Sequence, residues 1–234
     1  MLKCRQLLLP LLVSALTSLT ASARDPIAYT LRFPDAAAHY MDVEMKFPTE
    51  GAQELDIFMP TWTPGSYLLR EYARNIISLT GSSSDGSPLE IVKTSKNRWN
   101  VDTEGADTVS IQYRMFCREI NVRNNWVESD FAVVNGAPTF LTVVDSYDRP
   151  YLVTVELPEG WETTASPLPS AGAPNSYSAP DFDTLVDSPL IAGSPQIDSF
   201  EVDGVRHSLV SIGGGGIWDN ARAAKNVHHL VEAQ

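Results

Sequence analysis

Cysteine is nearly missing from this chain: of 234 residues only Cys4 and Cys117 carry a thiol, and histidine occurs four times, as His39, His207, His228 and His229. Cys4 lies in the leader described below, so no internal disulfide framework is available. H-E-x-x-H, G-x-S-x-G and paired cysteines are all absent, which removes the usual signatures of zinc hydrolases, nucleophile-elbow hydrolases and dithiol chemistry. Positive charge is also short, with 17 Lys and Arg against 29 Asp and Glu. Nucleic acid and anionic membrane surfaces both require a basic face, so neither is expected as a partner. The excess of acid fits a soluble protein, a basic partner or a cationic substrate without choosing among them.

Long apolar runs are confined to the start. Lys3 and Arg5 precede "LLLPLLVSALTSLTA", and Ala21-Ser22-Ala23 supplies small residues for cleavage. This is the pattern of a signal peptide over residues 1–23, and it predicts a periplasmic or secreted protein with no membrane attachment after cleavage. An uncleaved anchor is the competing reading, but the run is short and rich in Ser and Thr for a span of about 20 apolar residues. The leader holds two basic residues and no acidic ones, which leaves a net charge of −14 beyond Ala23. Cys117 then stands alone, continuing the apolar face of Val109, Ile111, Tyr113 and Met115, and is expected to be a buried small hydrophobe.

What is present is period two. "HYMDVEMKF" sets Met41, Val43, Met45 and Phe47 against Asp42, Glu44 and Lys46; "ELDIFMP", "DTVSIQYRMFC", "YLVTVELPEGW" and "VRHSLVSIGG" repeat the alternation. Phe58 is an outlier, apolar at an outward position. Breakers such as "GSSSDGSP" and "TEGAD" separate the runs. Short one-sided strands without helical stretches predict an all-β fold, an antiparallel β-sandwich over 24–212. Residues 162–182, rich in Pro, Ser and Ala, read as a surface excursion. After Gly213–Gly216 a helix capped by Asp219 is expected, with Ala221, Ala224, Val227, His228 and Val231 near one face. The glycine run and helix (213–234) read as a hinge and the start of a second, truncated domain.

Little in the chain looks like reaction machinery. His228 or His229 with Glu232 have the helical spacing of a shared metal. A zinc site needs at least three protein ligands, so an ordinary solvated helix face competes with that reading. No catalytic or metal-ligating residue and no cofactor are therefore assigned within the chain. Scattered carboxylates could still form a hydrolytic pair, if two lay within about 5–10 Å in a cleft.

One stretch is unlike the strands. "PTWTPGSYLLREYARNI" (60–76) crowds Trp62, Tyr67, Arg70, Glu71 and Arg74 around a Pro64-Gly65 turn expected to be type II. Glu71 and Arg74 have the spacing of an ion pair. The segment reads either as a rigid corner whose aromatics plug the sandwich, as an interdomain or substrate-facing wall, or as a self-contained site. "VVNGAPTFL" (133–141) is a second candidate: Asn135 and the carbonyls about Gly136 are acceptors for an amino group, while Asn-Gly also suits a hairpin turn.

The motif "MPTWTPGSYLLREYARNI" resembles the N-terminal domain of the glycyl aminopeptidase family of zinc metallopeptidases, gluzincins similar in design to thermolysin. "SKNRWNV" (95–101), "REINVRNNWVESDFAVVNGAPTFL" (118–141) and "FDTLVDSPLIAGS" (182–194) follow in the family's order. The resemblance implies a non-catalytic β domain packed beside the cleft of a separate catalytic domain, often followed by a PDZ domain. Zinc, its H-E-x-x-H ligands and the general base would belong to that missing domain, as would the cleavage of a peptide substrate. A stand-alone secreted module that holds a peptide or glycan is the alternative.

Overall fold

The computed structural model describes residues 24–63, 66–213 and 216–233. The leader, the Pro64-Gly65 turn and Gly214–Gly215 lie outside the described residues. The first half holds β1 (Ile27–Arg32), β2 (Tyr40–Pro48), β3 (Glu54–Phe58), β4 (Ile76–Ser83), β5 (Pro88–Leu89), β6 (Ile91–Ser95), β7 (Arg98–Asp102) and β8 (Thr108–Phe116). Short strands follow: β9 (Trp126–Val127), β10 (Ala132–Val134), β11 (Thr142–Val143), β12 (Tyr151–Glu156), β13 (Thr163–Ala165) and β14 (Ser176–Ala179). The helix α1 (Phe182–Val186), strands β15 (Leu190–Gly193), β16 (Gln196–Val202) and β17 (Val205–Ser211), and helix α2 (Asn220–Glu232) complete the chain.

The fold is all-β and sandwich-like. A seven-stranded sheet runs β14-β12-β1-β2-β8-β4-β5, and two four-stranded sheets run β13-β15-β10-β9 and β11-β3-β7-β6. Its registers follow from the alternation. Val43 faces Tyr113 and Met45 faces Ile111 across β2 and β8, and all four are buried. Each such side chain contributes about 1.5–3 kcal/mol on burial. The outer face carries charge: Arg114 Nε donates to Asp42 at 2.6 Å, and Arg32 Nε donates to Glu156 at 2.7 Å. β1 and β12 pair in parallel, unlike the other pairs. More than a hundred residues separate them, so no tight turn forces an antiparallel return.

The layers meet through the segment between β10 and β11. Tyr29 and Tyr113, from β1 and β8, donate their hydroxyls to the carbonyls of Leu141 at 2.6 Å and Thr139 at 2.9 Å. Phe140 packs 4.7 Å from the Tyr29 ring. Cys117 is 1 % exposed, and burial pushes its thiol up to about 12.

The expected surface excursion at 162–182 is corrected: it contains β13 and β14, which pair with β15 and β12. The apolar content of those pairings resides in the partner strands, and Thr164 bridges the segment by bonding the Tyr177 hydroxyl at 2.7 Å. The hairpin β16–β17 forms a sheet of its own, and α2 lies on it, with His228 5.0 Å from Phe200. Asp219 caps α2 through the Arg222 amide at 2.9 Å. Ala221, placed on the apolar face by its spacing, is exposed; Ala224, Val227, His228 and Val231 are half-buried. Among the described residues, no helix is long and apolar enough to cross a membrane.

Candidate functional site

The corner segment begins where β3 ends. Met59 is buried and exchanges backbone and side-chain hydrogen bonds with Asn97, at 3.0 and 2.8 Å. The loop beyond it is closed at its neck, where the Arg70 amide donates to the Thr61 carbonyl at 2.6 Å. Tyr72 and Ala73 then anchor a 3-10 turn, Tyr72–Asn75, into the core. Between neck and tip the loop turns outward: Trp62 is 47 %, Tyr67 81 %, Leu68 67 % and Leu69 74 % exposed. The Trp62 and Tyr67 rings lie 6.0 Å apart at 30°. The expectation that these aromatics plug the sandwich is corrected. Tyr72 supplies the plug, and Trp62 and Tyr67 remain in water because the closed neck holds the loop off the sheets.

The charges of the corner are distributed differently from the expected Glu71–Arg74 pair. Glu71 pairs with Lys96 of the β6–β7 turn, which lowers its pKa, and Arg74 Nη2 donates to Glu119 at 3.1 Å. A 3-10 turn stacks residues three apart, but Glu71 precedes the turn with non-helical angles, φ −93° and ψ 61°, so its side chain turns to Lys96 instead of Arg74.

A groove of about 830 Å³ opens on one side of this loop. Its floor is an aromatic cluster: Phe58 meets Tyr147 at 5.8 Å and Phe182 at 6.1 Å, both edge to face. Arg98 stacks its guanidinium 5.4 Å above Phe58. Trp62 forms one lip, and Asp183, Asp187 and Ser188 of the α1 region form the other. Asp181 fixes that lip by capping α1 through the Thr184 amide at 2.7 Å, and the Ser188 hydroxyl closes it on the Thr184 carbonyl at 2.7 Å. Asp183 and Asp187 are the carboxylates of this cleft, and both are exposed. A general acid in a glycosidase-like pair needs burial to hold its proton, so they lack that environment.

Asn135 lies elsewhere. Its side-chain amide donates to the Asn124 carbonyl at 2.5 Å, and its backbone N–H donates to Asn125 Oδ1 at 2.8 Å. The Asn135 carbonyl accepts from the Thr139 hydroxyl at 2.6 Å, and that of Gly136 accepts from the amides of Thr139 and Phe140. The carbonyls expected to receive a substrate amine are thus engaged internally. The hairpin reading of Asn135-Gly136 is corrected too, because β10 and β11 belong to different sheets. Glycine is required at 136 by closeness: a Cβ there would stand 2.5 Å from Val186 Cα and 2.6 Å from the Leu185 carbonyl.

Sequence reasoning missed Arg98, Tyr147, Phe182 and Asp183 as groove residues. Phe58 carried the one available signal, as an apolar residue at an outward strand position. For metal, no three His, Cys, Asp or Glu converge among the described residues. Glu232 stands 3.4 Å from both His228 and His229, a shared polar contact on a single helix rather than a tetrahedral ligand set. Two histidines and one glutamate on one helix fall short of a catalytic zinc site among the described residues.

Comparison with known proteins bears on what such a groove serves. Residues 28–194 match the peptidase M61 N-terminal domain. The chain belongs to the peptidase M61 N-terminal domain family. The match ends at Ser194, so both lips of the groove fall inside the M61 domain, whereas β16, β17 and α2 follow it. A solved structure, that of the aminopeptidase N family protein from Idiomarina loihiensis, is similar with a TM-score of 0.75 and 26 % identity. The similarity covers 85 % of this chain and 35 % of that one, so the M61 chain spans about a third of that neighbour's length. No curated protein matches.

Proposed function

We propose that this chain serves as the non-catalytic N-terminal domain of an exported zinc aminopeptidase, and that its corner loop and groove form the wall facing the catalytic domain and its peptide substrate. The observation that carries this reading is the exposure of Trp62, Tyr67, Leu68 and Leu69 together on a loop whose neck is rigidly closed. Exposed apolar side chains grouped in that way mark an interface, and Trp62 among them forms one lip of the groove. Zinc, its ligands and the general base belong in this reading to the adjoining domain, where the metal would activate water for attack on the scissile carbonyl. The residues of this chain contribute position: Trp62 and the Phe58–Tyr147–Phe182 floor offer apolar contact, and the acidic lip at Asp183 and Asp187 favours a positively charged peptide end. Glycine or another small residue is the proposed N-terminal residue removed, in the periplasm or outside the cell.

The reading is tested by extending the coding sequence beyond the codon for Gln234 and assaying the longer polypeptide on glycyl peptides. The expected result is an H-E-x-x-H helix with a later glutamate, chelator-sensitive release of glycine, and no cleavage by residues 24–234 alone. Cleavage by those residues alone would refute it, as would a downstream sequence without that motif.

A further inference from the structure

A second, smaller pocket lies on the other side of the corner, with a volume of about 310 Å³. Leu69, Arg70, Tyr72, Arg74 and Asn124 line it, together with Glu71 and Asn75. Three observations set it apart from ordinary surface. Four arginines, Arg70, Arg74, Arg118 and Arg123, fall in two adjoining stretches of a chain whose net charge is −12. Among the described residues no carboxylate pairs with Arg70 or Arg123, whereas Glu71 is held by Lys96 and Glu119 by Arg74 and Asn124. Tyr72 is 2 % exposed and lines the pocket, and no partner meets its buried hydroxyl in good hydrogen-bond geometry, the Arg70 side chain being the polar group nearest in reach.

An orphaned buried hydroxyl is costly and asks for an explanation, such as a ligand that satisfies it. Burial raises the Tyr72 pKa, and the nearby Arg70 and Arg123 charges oppose that rise, so the hydroxyl is a neutral donor beside guanidinium groups. We propose that this pocket is a binding site for a carboxylate group, held by the Arg70 guanidinium and the Tyr72 hydroxyl. Arg70 Nη1 donates to the Leu68 carbonyl at 3.0 Å, which holds the guanidinium in place, and its remaining N–H donors are open to a planar two-oxygen anion. The carboxylate of Glu71 in the lining, and that of Glu119 on Arg74, oppose a dianion more than a single charge, which disfavours phosphate. Asn135 acts on this pocket at one remove, since its amide fixes the Asn124 carbonyl. Exposed Leu69 at the mouth covers the apolar remainder of a bound residue. Two sources present this chemistry: the terminus of a short peptide, and an acidic side chain of an adjoining domain.

The test is an NMR titration of the chain alone, so its failure leaves the reading of the whole enzyme standing, and the failure of that reading leaves this one standing. The probes are N-acetylglycine, N-acetylaspartate N-methylamide, N-acetylglycinamide and inorganic phosphate. Saturable shifts at the Arg70, Tyr72 and Asn124 amides are expected with one of the two carboxylates, at a Kd of about 1–10 mM for a single charge-assisted contact. Tighter binding of N-acetylglycine points to a peptide terminus, and tighter binding of the aspartate derivative to a side chain. Arg70→Gln should abolish the shifts. Tyr72→Phe should weaken binding about fivefold while leaving thermal stability unchanged or raised, because it removes an unpaired buried hydroxyl. That variant decides the matter if Arg70→Gln fails to fold. Equal shifts with the neutral amide, tighter binding of phosphate, no saturable shift, or unchanged binding by Tyr72→Phe would each overturn the proposal.

Discussion

Two connections in this molecule are of similar chemistry and opposite fate. The segment from β10 to β11 carries Asn135, Gly136, Ala137, Thr139 and Phe140, and apart from half-buried Asn135 it is buried throughout. The segment from β3 to β4 carries Trp62, Tyr67, Leu68 and Leu69, a larger apolar load, and leaves it in water. The inner connection satisfies its polar groups within the fold: Asn125 joins the Thr139 hydroxyl to the Asn135 amide, and two core tyrosines seal its carbonyls. Beyond its neck, the described part of the outer loop makes local bonds, the Ser66 amide to the Thr63 carbonyl and Arg70 Nη1 to the Leu68 carbonyl, both at 3.0 Å, and its apolar side chains stay outside the core. A loop retained for the sandwich alone would bury those side chains, as the inner one does. The contrast is what the proposed function rests on: 135–141 serve stability, and 61–70 are left for the proposed contact with a catalytic domain.

The sharpest way to break the inner connection is Gly136→Ala. The added methyl meets backbone of α1, which cannot swing aside, so a loss of about 3 kcal/mol is expected in urea unfolding. Asn125→Ala should follow at about 2 kcal/mol, because it strands the Asn135 N–H and takes away the amide donor to the Thr139 hydroxyl, which keeps its own bond to the Asn135 carbonyl. Cys117 lies against the same network, with Asn125 in hydrogen-bonding reach of its thiol. Its folded pKa exceeds its unfolded one, so its contribution is fully present below the ordinary thiol value of 9.0 and is lost as pH rises above it. Relative to Cys117→Ala, the stability of the parent should decline above pH 9 by up to about 1.4 kcal/mol per pH unit. A thiol reagent at pH 8 should label it only on unfolding.

The outer connection should respond in the opposite manner. Leu68→Ser with Leu69→Ser is expected to change stability by less than about 0.5 kcal/mol, while weakening association with the adjoining domain. A large loss of stability in this pair would dissolve the contrast.

Much of the fold was legible because alternation fixes faces: Met41 to Phe47 and Val109 to Cys117 are buried where period two places them. The strands at 163–165 and 176–179 were not, because their apolar partners lie far away in sequence. The site was half legible. Trp62 stands out for the groove, and Arg70 and Arg74 for the smaller pocket, but the groove also needs Phe58, Tyr147 and Phe182, which only the pairing of distant elements brings together. Glu71 found Lys96 rather than Arg74 because local spacing carries no information about the β6–β7 turn.

Hydrogen exchange of the amides at 61–70 tests the central claim most directly, measured in this chain alone and joined to the proposed catalytic domain. The account predicts clear slowing from Trp62 to Leu69 in the joined protein and no change at 135–141. Unchanged exchange at 61–70 would show that the exposed corner is not the docking wall.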